Sequence, residues 1–218
     1  MRSSDKVFGV SVSKPLRGRQ AEAMRNDRTV LDAAREVFAE QGFEAPMTAV
    51  AKRASVGIGT LYRRYGGKQE LLQHLCVLSL EQNLEAAKGA LAADDAWEGL
   101  GDYIRQCVDF GAGAFAPAAG TIVTTDEMWR LARAVRRSVG KLVARAQRDG
   151  SLRADVNAID ILQLVQHFSR THRGRSAPRV HPSSGRQLAI ALSGLRAGAV
   201  VPLPRPAPAP EDYESAWR

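Results

Sequence analysis

The stretch Pro46-Met-Thr-Ala-Val-Ala-Lys-Arg-Ala-Ser-Val-Gly-Ile-Gly-Thr-Leu-Tyr-Arg-Arg-Tyr-Gly-Gly-Lys68 decides how this chain folds. Its apolar residues fall into two short helical patterns, one from Pro46 or Met47 to Ala54 and one from about Ile58 to Tyr65. Only Ser55-Val56-Gly57 separates them, and Pro46 suits a helical first turn. Gly66-Gly67 ends the second pattern, and a long apolar-periodic helix opens at Lys68. Two short helices across a tight turn form the layout of a helix-turn-helix. The same window holds Lys52, Arg53, Arg63, Arg64 and Lys68 and no acidic residue. Charge of one sign gathered in one place is the footprint of a phosphate-binding face, although two ordinary surface helices with solvated charges would show the same pattern.

On the helix from Ile58, Leu61 and Tyr65 share a face at i and i+4 and are expected to pack against Val50 and Ala54. Thr60, Arg63 and Arg64 then point outward. The Tyr62 hydroxyl and Lys68 are placed to reach phosphate oxygens.

Upstream, Leu31, Ala34, Val37 and Phe38 recur at spacings of three and four from Asp27 onward, with charged residues between them. Asp27 is expected to cap this helix and Gly42 to stop it. Residues 1–26 carry Lys6, Lys14, Arg17, Arg19 and Arg25 with few large apolar residues, and read as a mobile basic arm or a solvated tail. Downstream, apolar periodicity predicts helices near 68–91, 95–114, 125–149, 157–171 and 184–199. Breaks fall at Ala116-Pro117 and Asp149-Gly150. The polar segment Arg173 to Pro182 reads as an exposed loop. The proline alternation from Val201 to Pro210 reads as an extended tail. The expected division is an arm at 1–26, a DNA-binding head at 27–75, a helical domain at 76–200 and a Pro-rich tail at 201–218. The fold class is all-α, with an N-terminal three-helix head and a larger C-terminal helical bundle.

Composition limits the alternatives. The 218 residues are 44% hydrophobic and 25% charged, ordinary values that argue against wholesale disorder. No apolar run approaches the roughly 18 residues of a membrane span, and the N-terminus lacks the apolar stretch of a secretory signal. The expected location is the cytoplasm. Cys76 and Cys107 have no CxxC partner and read as reduced, inert thiols. A net charge of +8 favours a polyanionic partner. His74, His167, His172 and His181 lack metal-ligand spacing. Gly111-Ala-Gly113 lacks the third glycine of a dinucleotide fingerprint, and no nucleophile elbow, phosphate loop or zinc-protease motif occurs. The expectation is therefore a binding protein, not an enzyme, with no metal and no cofactor.

The run from Ala51 to Lys68 resembles the signature of the tetracycline-repressor (TetR) family. Ala51, Ala54, Val56, Thr60, Leu61, Tyr62, Tyr65 and Lys68 match its thread in order and without a gap, within a likeness covering about residues 27–75. The resemblance implies a recognition helix from about Gly57 to Tyr65, with Ile58, Gly59, Thr60, Tyr62, Arg63 and Arg64 at or near DNA and Lys68 on the backbone. Thr48, in the preceding helix, is assigned to the same face. Three positions depart from the pattern. Ser55 replaces a frequent turn glycine, at a cost of about 1 kcal/mol if it is left-handed. Gly57 replaces a common capping serine, and Arg64 replaces a frequent histidine.

The apolar stripes Ile161, Val165 and Phe168, and Leu188, Ala191, Leu192, Leu195 and Ala199, fit an intrachain core. The resemblance implies that the last two long helices form a dimer interface, and assigns Ile161, Val165, Leu188, Leu192 and Leu195 to it. Effector sensing needs a concave apolar pocket with a few polar groups. Trp97, Tyr103, Phe110, Phe115, Trp129, His167 and Phe168 are candidates to line one, or are plain core. The function read from the sequence is a sequence-specific transcriptional regulator, a repressor released from a near-palindromic operator by a small-molecule effector. The competing class is an architectural DNA binder that responds to no ligand.

Overall fold

A computed structural model describes residues 18–113, 121–171, 182–198 and 201–215. Among them it places α1 (Gly18–Gln41), α2 (Met47–Arg53), α3 (Ile58–Tyr65), α4 (Lys68–Leu91), α5 (Ala96–Asp109), α6 (Asp126–Arg148), α7 (Ala158–Thr171), α8 (Pro182–Gly194) and α9 (Pro210–Ser215). The described residues form no strand, only a single bridge between Leu152 and Arg196. The architecture is all-α, with a helix-turn-helix head and a larger helical domain.

The head closes around one core. Val30, Leu31, Ala34, Val37 and Phe38 bury one stripe of α1 against Val50, Ala51 and Ala54 of α2, Leu61 and Tyr65 of α3, and Leu71, Leu72 and Leu75 of α4. Gly42 ends α1 at φ 80°, its N–H donating to the Phe38 carbonyl at 3.1 Å. That is the left-handed stop that a glycine supplies without a Cβ penalty. The helix begins at Gly18, not at Asp27. Residues 18–26 have no apolar stripe to announce a helix, but they contain no proline or glycine beyond the first position. Ala21, Ala23 and Met24 are strong helix formers that carry the coil upstream. Residues 1–17 lie outside the described residues.

The turn between α2 and α3 holds Ser55 at φ 55°. A left-handed residue with a Cβ costs about 1–2 kcal/mol, and a glycine there would return about 0.5–1 kcal/mol of this through its looser unfolded chain. Ser55→Gly should therefore raise the unfolding free energy by on the order of 0.5–1 kcal/mol. Urea denaturation measures it; a loss of stability would show that the serine is held by something other than backbone strain.

α4, 24 residues and so about 36 Å long, runs out of the head into the second core. Leu71, Leu72, Leu75 and Cys76 belong to the head cluster, Ala87 and Ala90 to the C-terminal one, and Leu80 packs on both. The head core also takes in Ile122 and Met128, far beyond the expected boundary at residue 75. α5 and α6 pack along α4, and α7 lies against both. Each of the first two starts at a capping side chain: Asp95 accepts from the Glu98 N–H at 2.8 Å, and Thr125 from the Met128 N–H at 3.2 Å. α4 and α5 meet so closely that a Cβ on Gly99 would stand 2.6 Å from the Ala90 carbonyl oxygen.

Three ends depart from the periodicity. α5 stops at Asp109 because Gly111, at φ 72°, turns the chain. α8 opens on Pro182, a residue suited to a helical first turn, and ends at Gly194. The rest of the expected loop, 172–181, lies outside the described residues, as does Phe115. The Pro-rich segment 201–209 is irregular, as its prolines dictate, but the chain then forms the short α9.

Candidate nucleic-acid interface

α3 presents two faces of opposite character. Leu61 and Tyr65 are buried against the head core, with Leu61 only 1% exposed. Ile58, Gly59, Thr60, Tyr62, Arg63 and Arg64 all lie on the exposed side, and Thr48 is exposed on α2. Ile58 and Tyr62 are 37% and 49% exposed, large apolar groups one turn apart on the outward face. Side chains of this kind contact thymine methyl groups, while arginine reads guanine or holds phosphate. No side chain caps α3 at Gly57, so its first N–H groups are left for solvent or an anion.

The basic residues divide into two sets. Arg53 turns back onto α1, donating to Glu36 at 2.7 Å and to Glu40 at 2.6 Å. Those carboxylates hold its guanidinium pKa up, and the same hydrogen bonds hold the Glu40 carboxyl below its usual range. Arg53 thus links α2 to α1 at the surface, its charge balanced by the two carboxylates. Lys52, Arg63 and Arg64 stay on the exposed surface. Lys68 opens α4 and lies 3.5 Å from Glu44, whose side chain is 88% exposed. An ion pair so open to water is worth little, so Lys68 remains available to a phosphate.

Comparison with known proteins decides the family. Residues 30–75 match the model of bacterial regulatory proteins of the tetR family, and residues 95–197 match the C-terminal domain of SbtR-like transcriptional regulators. A TetR transcription regulatory protein from Mycobacterium vanbaalenii is 30% identical, covers 82% of this chain and 99% of its own, and superposes with a TM-score of 0.57. The chain belongs to the TetR family. The TetR regulator SCO0520 from Streptomyces coelicolor is 26% identical, over 80% of this chain and 99% of its own, with a TM-score of 0.57. The transcriptional regulator UidR from Escherichia coli is 38% identical over 66 residues, which span 30% of this chain and 34% of that relative's length. The protein is thus a TetR-family transcriptional regulator.

The C-terminal domain of this TetR-family chain holds a part-open cavity of about 120 Å³ between α4, α6, α7 and α9. Of the residues expected to line a pocket, Trp129 does so, its indole N–H donating to Thr124 at 3.1 Å. Tyr103 stands behind the wall, fully buried, and donates to the Asn83 side chain at 2.7 Å. Trp97 lies on the far side of α5 under the Arg196 guanidinium, 4.2 Å from its ring centroid. Phe110 and Phe168 pack into the core, and His167 is exposed, its ring edge-on to Phe168. The polar groups of the wall include Ser79 and Asn83 on α4, Thr124 before α6, Arg136 on α6, Gln166 on α7, and Tyr213 and Glu214 on α9. Ser79 and Asn83 were detectable in the sequence as a polar pair at i and i+4 interrupting an apolar stripe. Arg136 and Gln166 carried no such signal.

Ile161 and Val165, expected at a dimer interface, are 0% and 2% exposed within their own chain, and Val165 lines the cavity. Leu188 and Leu192 are 7% exposed, beside Trp97 at a shallow groove between α5 and α8. These four side chains pack within their own chain. Leu195 is half-buried, while Ile190 of α8 is 61% exposed. The cysteines are buried, and desolvation pushes both thiols up to about 12, which keeps them protonated and unreactive at neutral pH.

Proposed function

We propose that this regulator binds a near-palindromic operator as a two-fold dimer through the outward face of α2 and α3, and releases it when a small molecule fills the C-terminal cavity. The observation that carries the reading is the two-sided α3: Leu61 and Tyr65 lock it to the head while its six other named residues stay exposed together. One short helix buries too little surface for high specificity alone, so two heads are needed, with half-sites centred about one helical turn or a multiple apart. The dimer is built from exposed positions of α7 and α8, among them Gln163, His167 and Ile190, since the inward stripes are already occupied. The protein works in the cytoplasm, where its DNA is.

A physical route joins cavity to head. Cys76, Leu80 and Met128 line the cavity and also belong to, or pack on, the head core. The segment before α6 grips the head end of α4: Gln69 donates to the Thr121 carbonyl at 2.8 Å, and Gln73 to the Val123 carbonyl at 2.7 Å. A ligand pressing on Thr124, Met128 and Trp129 therefore acts on the helix that begins at Lys68. A coupling of about 1–3 kcal/mol, or roughly 5- to 150-fold, is the usual range, and operator must weaken ligand binding by the same factor.

Lys68→Ala tests the DNA assignment. It should weaken binding to all duplexes alike and flatten the plot of log affinity against log salt by about 0.9 for each phosphate no longer neutralised. With two heads per duplex, confirmed by sedimentation, the slope should change by about twice that. An unchanged slope removes Lys68 from the interface.

A further inference from the structure

The cavity already contains part of this chain. After α8 the tail is strapped along the turn that precedes α7: Arg153 donates to the Val201 carbonyl at 2.8 Å, the Leu203 N–H to Asp155 at 3.2 Å, and Asn157 to the Pro208 carbonyl at 2.9 Å. The strap ends in α9, which places Tyr213 and Glu214 in the cavity wall. Gln166 donates to the Tyr213 hydroxyl, and Arg136 pairs with the Glu214 carboxylate. These two side chains together present an aromatic body and a carboxylate to the pocket.

We propose that α9 is an internal occupant of the effector site, and that the ligand displacing it is a small apolar carboxylate whose acid group takes the place of Glu214 on Arg136. The proposal deepens the effector reading above and rests on it for the identity of the cavity.

Four observations support it. The room left beside Tyr213 is about 120 Å³, whereas ligand sites commonly measure about 300–1,000 Å³ and a cavity near 150 Å³ admits only a benzene-sized guest. An effector of ordinary size therefore needs the tail to leave. Departure breaks no helix core, because α9 is six residues long and its side chains are at most part-buried, far below the roughly 12–15 residues at which an isolated helix is even marginal. The cavity is otherwise mostly apolar, walled by Leu80, Met128, Val135, Leu162 and Val165, and suits an alkyl or aryl body. Lastly, the Arg136 and Glu214 side chains are only 27% and 22% exposed. Removing Glu214 leaves a half-buried guanidinium without its carboxylate, a state that an incoming anion relieves and a neutral ligand does not. Burial pushes the Tyr213 hydroxyl up to about 12, so the aromatic plug docks uncharged.

The test uses the full chain, with decanoate and 3-phenylpropanoate as probes and decanol and 3-phenylpropanamide as neutral counterparts, titrated calorimetrically without DNA. The acids should bind better than the neutral compounds, and hydrogen exchange at residues 210–215 should speed up when they do. Glu214→Gln, which weakens the internal competitor, should bind the acids roughly fivefold more tightly, and Arg136→Gln should abolish the preference for acid over neutral compound. If Glu214→Gln binds neither acid or gains no affinity, if the neutral compounds bind as well as the acids, or if α9 exchanges no faster with acid bound, the proposal is overturned. Operator affinity measured separately with and without acid keeps the two readings apart: acid that displaces α9 but leaves DNA affinity unchanged overturns only the effector reading.

Discussion

In the double variant Tyr62→Ala/Arg63→Ala, affinity for an operator duplex should fall by on the order of 10²- to 10⁴-fold while the thermal midpoint stays in place. Both side chains are exposed on the outward face of α3, so deleting them opens no cavity and stability should move by no more than about 0.5 kcal/mol. On DNA the effect applies twice, once per head, and a good base or phosphate interaction is worth about 1–3 kcal/mol. Titration of a labelled duplex at fixed salt reads the effect. Unchanged affinity would take recognition away from α3.

One position earlier the expectation reverses. Leu61 is 1% exposed and sits among the side chains of α1, α2 and α4, so Leu61→Ala removes buried methyl groups and leaves a void. Such changes cost about 2–5 kcal/mol. At about 2–4 °C per kcal/mol for a chain of this size, the thermal midpoint drops markedly, and DNA binding is lost because the recognition helix is no longer held. A midpoint within a degree of wild type would mean that α3 is not seated as described.

These two neighbours show what the sequence made legible. Period and punctuation fixed the head: Gly42, Gly57 and Gly66 bracket the helices, and the i, i+4 pair Leu61 and Tyr65 separates the inner from the outer face of α3. α4 could be read from Lys68 to Leu91 for the same reason. The start of α1 could not, because residues 18–26 are helical by propensity without an apolar stripe. α9 was hidden too, since six residues after a proline run form a helix only by docking. The cavity was the least legible part. Its wall draws single residues from four helices, and periodicity tells which face of a helix is buried but not what it meets. So Trp97 and Phe168, conspicuous as aromatics, proved to be core, and Val165, assigned to a partner, lines the cavity. Arg53 shows the same limit for charge: it belongs to the basic window in sequence and to Glu36 and Glu40 in space.

Whether this protein reads DNA sequence through paired heads is tested most directly by one ratio. The full chain is titrated with a duplex selected by it from a random pool, and with a scrambled duplex of the same length and composition, at about 0.15 M salt. The selected duplex should be near-palindromic and bind roughly 10³-fold or more tightly than the scrambled one. Equal affinities would contradict sequence reading and leave a protein that coats DNA by charge alone.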